Sequence, residues 1–68
     1  MSQSKKLINY LNNNNIQFQL LSKNKFIINP KHSYQIQLIP FNKIIYLNDF
    51  PYYYLNIKTY NKNFFNII

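Results

Sequence analysis

The chain has no cysteine, so neither a disulfide nor a thiolate metal site can hold it together. It carries one histidine, His32, and one acidic side chain, Asp49. Those two cannot supply the ligand set of a zinc or calcium centre, and the sequence predicts no metal and no cofactor. Glycine is absent too, which excludes a glycine-rich loop that cradles phosphates by close backbone approach. His32 and Asp49 are the one conventional acid–base pair, and no serine lies in a nucleophile elbow. The reading is of a protein that is not an enzyme and takes no small-molecule substrate. His32, behind "PK", reads as a solvated loop side chain, and Asp49, within "LNDFP", as a turn residue.

Long hydrophobic runs are also missing. Stretches such as "PYYYL" fall far short of the roughly 20 residues of a membrane helix. The start, "MSQSKK", has neither the apolar stretch of a secretory leader nor an arginine-rich amphipathic pattern. No membrane partner is expected, and an organellar protein of this kind would be made inside the organelle.

What the chain does have is positive charge. Eight lysines against one aspartate give a net charge of +7 on 68 residues. Such an excess repels itself and favours a polyanion, nucleic acid ahead of an anionic membrane surface. Lys5, Lys6, Lys23, Lys25, Lys31, Lys43, Lys58 and Lys62 are spread along the sequence, which argues for contact with many phosphates. Residues 1–68 make one small RNA-binding domain, and a domain of this size buries only about 60% of its unfolded surface. A partner is expected to supply part of its support.

Residue usage carries a second message. Ala, Val, Arg, Glu and Trp are missing, while Asn, Ile, Lys, Tyr and Phe dominate. The abundant types have codons made largely of A and T, as in the AT-rich genomes of protist organelles and reduced bacteria. Runs of Asn and Tyr therefore report mutation bias before they report function.

Along the chain, Ser2 or Ser4 can cap a first helix in which Leu7, Ile8 and Leu11 share one face. The run Asn12–Asn15 stops it, because asparagine tolerates the left-handed conformation usually given to glycine. From Ile16 the period becomes two: Ile16, Phe18 and Leu20 alternate with Gln17, Gln19 and Leu21, "SKNK" turns, and "FIIN" returns as a hairpin. Tyr34, Ile36 and Leu38 alternate with Gln35 and Gln37 and predict a further strand. "KIIYL" is another extended piece, and Tyr53, Leu55 and Ile57 share a strand face opposite Tyr52, Tyr54, Asn56 and Lys58. The expected fold class is α+β: one N-terminal helix followed by a small, mostly antiparallel sheet. Of Tyr52–Tyr53–Tyr54, alternate rings are expected in the core and the others at the sheet surface; exposed beside lysines, such rings also suit base stacking.

One stretch resembles a known family. From Pro40 the chain runs "PFNKIIYLNDFPYYYLNIKTYNKNFF". Its Pro40, Lys43, Ile45–Tyr46 and Phe50–Pro51 are similar to a segment of the small-subunit ribosomal proteins of the eighth family. Thr59–Tyr60–Asn61–Lys62–Asn63 resembles that family's Ser-Thr-Ser-Lys-Gly loop, without its glycine. The resemblance implies a loop that meets the minor groove of a ribosomal RNA helix. Thr59 and Asn61 would then contact sugar hydroxyls and Lys62 a phosphate, with Phe64 and Phe65 as anchors. The RNA-binding residues expected on this basis are Lys43, Lys58, Thr59, Tyr60, Asn61, Lys62 and Asn63. Apart from the family, the same segment reads as an asparagine turn between two strands.

The resulting expectation is a structural protein of an organellar, mitochondrial ribosome, with ribosomal RNA and neighbouring ribosomal proteins as partners. Two other readings compete with it. An accessory structural subunit of another organelle-encoded complex would be expected to show a membrane helix. A small basic DNA-binding protein would be expected to show a recognition helix, whereas the one helix here comes first and is short.

Overall fold

The computed structural model describes residues 2–68. Helix α1 covers Gln3–Asn13, and the Ser2 hydroxyl caps it by accepting from the Lys5 N–H at 3.2 Å. Leu7 and Leu11 lie one turn apart and are fully buried, while Lys5, Asn9 and Asn12 face water. The helix ends as the asparagine run suggests. Asn15 has φ 56°, its N–H returns to the Asn12 carbonyl, and the Ile16 N–H returns to Leu11 at 2.9 Å. This double closure is usually built on glycine; here asparagine supplies the left-handed residue. Ile16 and Leu11 then meet in the core, which fixes the direction in which the chain leaves the helix.

Four strands follow: β1 (Gln17–Ser22), β2 (Lys25–Asn29), β3 (Lys43–Leu47) and β4 (Phe50–Asn56). They form one sheet in the order β1-β2-β4-β3, with every neighbouring pair antiparallel. The β1–β2 turn falls at Lys23–Asn24, with a slip in register between Leu20 and Ser22. The β3–β4 turn is Asn48–Asp49, at φ 51° and 66°. Those positive values are what a two-residue I′ hairpin requires, so Asp49 is the turn residue that the sequence suggests. Pro51 pairs with Tyr46, but β2 reaches only as far as Tyr53. The missing proline N–H thus falls where the sheet is two strands wide, the setting in which a strand tolerates proline.

Leu7, Leu11, Ile16, Phe26, Ile28, Leu55, Ile57 and Phe65 form one buried cluster on one side of the sheet. Phe18, Tyr53 and Tyr60 pack around it. A short helix α2, Lys62–Ile67, ends the chain and delivers Phe65 to this cluster. The Lys6 ammonium donates to the Phe65 carbonyl at 3.1 Å, tying the two helices together. The α+β reading therefore holds, with α2 added.

Besides Ile57 and Lys58, expected at the end of the last strand but held in a 3₁₀ turn in which the Asn56 side chain accepts from the Lys58 N–H, two segments differ from the sequence reading. Tyr34–Leu38 is not a strand; Ser33–Leu38 forms a 3₁₀ helix. Its alternating apolar side chains face outward, Tyr34 at 62% exposure, while Gln35 is 1% exposed. The reason is hydrogen bonding. The Gln35 amide group donates to the carbonyls of Asn14 and Asn15 and accepts from the N–H groups of Lys31 and His32. The exposed end of α1 needs donors, and a glutamine in a tight turn supplies them better than a leucine could. The chain's end is the second difference: the turn expected to lead into a last strand leads into α2 instead.

Candidate nucleic-acid interface

The strand register gathers lysines that are far apart in sequence. The Ser4 hydroxyl donates to the Lys23 carbonyl at 3.3 Å, which sets the start of α1 beside the β1–β2 turn. The Ile57 N–H donates to the Asn24 carbonyl at 2.9 Å, which brings the end of β4 to the same turn. Lys25 stands opposite Asn56, and Lys43 opposite Tyr54. Lys5, Lys23, Lys25, Lys43 and Lys58 thus share one end of the molecule, all exposed. Asp49 lies at the other end of β4, about 20 Å away at the usual rise per strand residue. Since charges in solution are screened beyond about 8–10 Å, Asp49 leaves the potential of the lysine end undiminished.

The sequence-predicted site residues divide between this end and the core. Lys43 lies on the sheet with its ammonium 5.2 Å from the centre of the Tyr54 ring, a cation–π contact. Ile57–Thr59 forms a second 3₁₀ turn, in which the Lys58 N–H donates to the Asn56 side chain at 3.0 Å. The Thr59 hydroxyl donates to the Asn56 carbonyl at 3.3 Å, and its oxygen remains on the surface. Tyr60 is half-buried, its ring edge-on to Phe64 and Phe65 at 5.7 and 5.9 Å. It serves the packing of α2. Asn61 caps α2 by accepting from the Asn63 N–H at 3.0 Å, and Lys62 and Asn63 are exposed in the first turn. The segment is therefore a turn and a capped helix start, rather than a loop between strands. Lys5, Lys23 and Lys25 are the members that sequence reasoning did not group with Lys43 and Lys58. No local signal marks them, because strand pairing and the Ser4–Lys23 and Ile57–Asn24 hydrogen bonds bring these ends together.

A second surface adjoins the lysine end. The cluster of buried residues joins both helices to one side of the sheet, and the register places a different set on the other. Gln19, Ile27, Tyr54 and Lys43 make one row across the four strands; Gln17 with Asn29, and Tyr52 with Ile45, stand in the next. Tyr52 and Tyr54 are half-buried, and the amide and lysine side chains are exposed. Ile27, at 5% exposure, is covered by its side-chain neighbours on this face, since no helix lies over it. A groove of about 580 Å³ runs from the end of α1, at Asn12, Asn15 and Ile16, past the β1 edge onto this face at Gln17, Gln19 and Tyr52, and stops short of Tyr54 and Lys43.

Among the described residues no three His, Cys, Asp or Glu side chains come together, and no helix is long and apolar enough to cross a membrane. No family model, curated protein or solved structure matches this chain.

Proposed function

We propose that this chain is a structural RNA-binding protein of a ribosome, set with its lysine end against ribosomal RNA. The observation that carries the reading is the gathering of Lys5, Lys23, Lys25, Lys43 and Lys58 at one end, far from the single aspartate. That end is built from strand ends, turns and the first turn of α1. It offers no helix to lay along a DNA major groove, whereas A-form RNA presents a wide, shallow groove read by shape, phosphates and 2′-hydroxyls. The Thr59 hydroxyl and the Asn56 amide stand among these lysines as neutral partners for sugar hydroxyls. Residue usage supports an organellar, mitochondrial setting. Exposed Tyr46, Leu47 and Phe50 at the opposite end suit contact with neighbouring ribosomal proteins.

The test has two arms. A purified chain titrated with a structured RNA hairpin is expected to lose affinity steeply with salt. If all five lysines engage, the log–log slope approaches 4, at about 0.9 or less per phosphate. A tagged chain in cells is expected to co-sediment with a ribosomal subunit. Absence of binding to any RNA, or a salt-independent affinity, overturns the nucleic-acid reading; co-sedimentation with a different particle overturns the ribosomal one.

A further inference from the structure

We propose that the open face of the sheet is a second RNA site, which binds unpaired nucleotides by stacking bases on Tyr52 and Tyr54. The inference rests on the RNA-binding reading above and adds the form of RNA and the side chains that hold it.

Three observations combine. First, Tyr52 and Tyr54 project from the same face of β4, about 6.6 Å apart at the rise of two strand residues. Both are half-buried, so each ring is braced at its base yet remains accessible. An aromatic ring held in this way can stack on any base, because every base offers a π-face. Second, the surroundings suit nucleotides. Gln17, Gln19 and Asn29 present amide donors and acceptors able to meet base edges, and Ile27, in the row of Gln19 and Tyr54, is apolar and almost fully covered. Third, the charges are placed for a backbone. Lys31 lines the groove at one end of the face, and Lys25 and Lys43 stand at the other, where they merge with the lysine end. No acidic side chain belongs to the face, since Asp49 is confined to the hairpin tip.

The occupant is single-stranded RNA in preference to a protein segment. A protein strand would add at the edge β1 or β3, where backbone groups are free, and would have no use for rings standing on the middle of the sheet. A duplex, whose bases are already stacked, cannot use the rings either. The face has room for about two or three bases, the number that small aromatic sheet platforms hold. Lys43 over the Tyr54 ring is poised to move from the ring to a phosphate as a base arrives. The arrangement suits an unpaired loop or bulge lying beside the helix that the lysine end grips.

The experiment compares a short oligouridine with a blunt RNA duplex, using the full chain. Tyrosine fluorescence is expected to be quenched by the oligouridine and changed little by the duplex. Tyr52→Leu and Tyr54→Leu keep much of the side-chain volume and are expected to weaken oligouridine binding about tenfold each. Their duplex affinity should stay within about twofold of the parent, because that binding is carried by phosphate contacts at the lysine end. Tyr52→Phe, which keeps the π-face, should bind as the parent does. Should a leucine variant fail to fold, ultraviolet crosslinking of the parent to oligouridine decides the matter. Trypsin cuts after Lys43 and Lys58, and the crosslinked peptide is expected to be residues 44–58. Crosslinks confined to other peptides, or leucine variants that bind oligouridine as well as the parent does, overturn this inference and leave the lysine-end reading standing. A parent chain that binds neither RNA overturns both.

Discussion

The side-chain amide of Gln35 donates to the backbone carbonyl of Asn15 at 3.2 Å, across a separation of 20 residues. The same side chain also donates to Asn14 and accepts from Lys31 and His32, so one buried glutamine joins the 3₁₀ turn to the end of α1. Removing it strands several backbone groups at once, and each buried group left unpaired costs about 1–3 kcal/mol. Gln35→Ala is expected to lower stability by about 3 kcal/mol in urea denaturation. Gln35→Glu should do no better, since a carboxylate cannot donate to the two carbonyls. Parent-like midpoints for both variants would show that the turn is not anchored in this way.

The left-handed residue that ends α1 gives a second expectation. Asn15 pays for its positive φ of 56°, and glycine would adopt it without a Cβ clash. Asn15→Gly is expected to be neutral or to stabilise by up to about 1 kcal/mol, and Asn15→Val to destabilise by about 1–2 kcal/mol. The thermal midpoint of Asn15→Gly should lie several degrees above that of Asn15→Val, at about 4–8 °C per kcal/mol for a domain of this size. Equal midpoints would contradict the closure described above.

The pattern of what the sequence reveals is instructive. The helix from Gln3, the asparagine stop, both hairpins and the inward face of Leu55 and Ile57 follow from local rules: a serine cap, left-handed tolerance, alternation and turn chemistry. Ser33–Leu38 defeats alternation because its fold is decided elsewhere. The carbonyls at the end of α1 need Gln35, and that demand is invisible until the two segments meet. The last segment fails for a related reason. In "TYNKNFF", the asparagine that reads as a turn residue is equally good as a helix cap, and Phe65 finds its place only once α1 and the sheet define a cavity for it. The lysine end could not be read along the chain either, because register alone brings Lys23, Lys25, Lys43 and Lys58 together.

Tyr10 is expected to make stability fall in alkali. Its hydroxyl donates to the Leu38 carbonyl at 2.8 Å, and burial, followed by the nearby Tyr60, raises its pKa above the ordinary 10.0. An acid whose pKa is higher in the folded state holds its proton longer there, so the unfolded chain ionises first. Its contribution is fully present below pH 10.0 and is lost as the pH rises through the raised value. Tyr10→Phe should flatten that part of the stability profile above pH 10.0 while leaving the neutral region governed by the lost hydrogen bond, a cost of about 1 kcal/mol. An unchanged alkaline limb in Tyr10→Phe would show that Tyr10 does not carry the fall.

Three substitutions in the last segment separate packing, capping and contact. Phe65 is 1% exposed, and Phe65→Ala should cost about 3–5 kcal/mol, the usual range for emptying a buried aromatic site. Asn61 accepts from the Asn63 N–H at 3.0 Å, so Asn61→Ala should cost about 1 kcal/mol through the lost cap, with RNA affinity changed only as far as α2 frays. Lys62 is exposed and stability should move by less than about 0.5 kcal/mol in Lys62→Ala. If Lys62 belongs to the RNA surface, that variant binds a structured hairpin more weakly and lowers the log–log salt slope by about 0.9 or less, one phosphate's share. Lys58→Ala provides the comparison from within the lysine end, and the two slopes should drop equally. A Lys62→Ala variant whose slope matches the parent, beside a Lys58→Ala variant whose slope falls, would place the edge of the interface between these residues. The start of α2 would then be scaffold alone, and the resemblance of Thr59–Asn63 to an RNA-gripping loop would have no counterpart in binding.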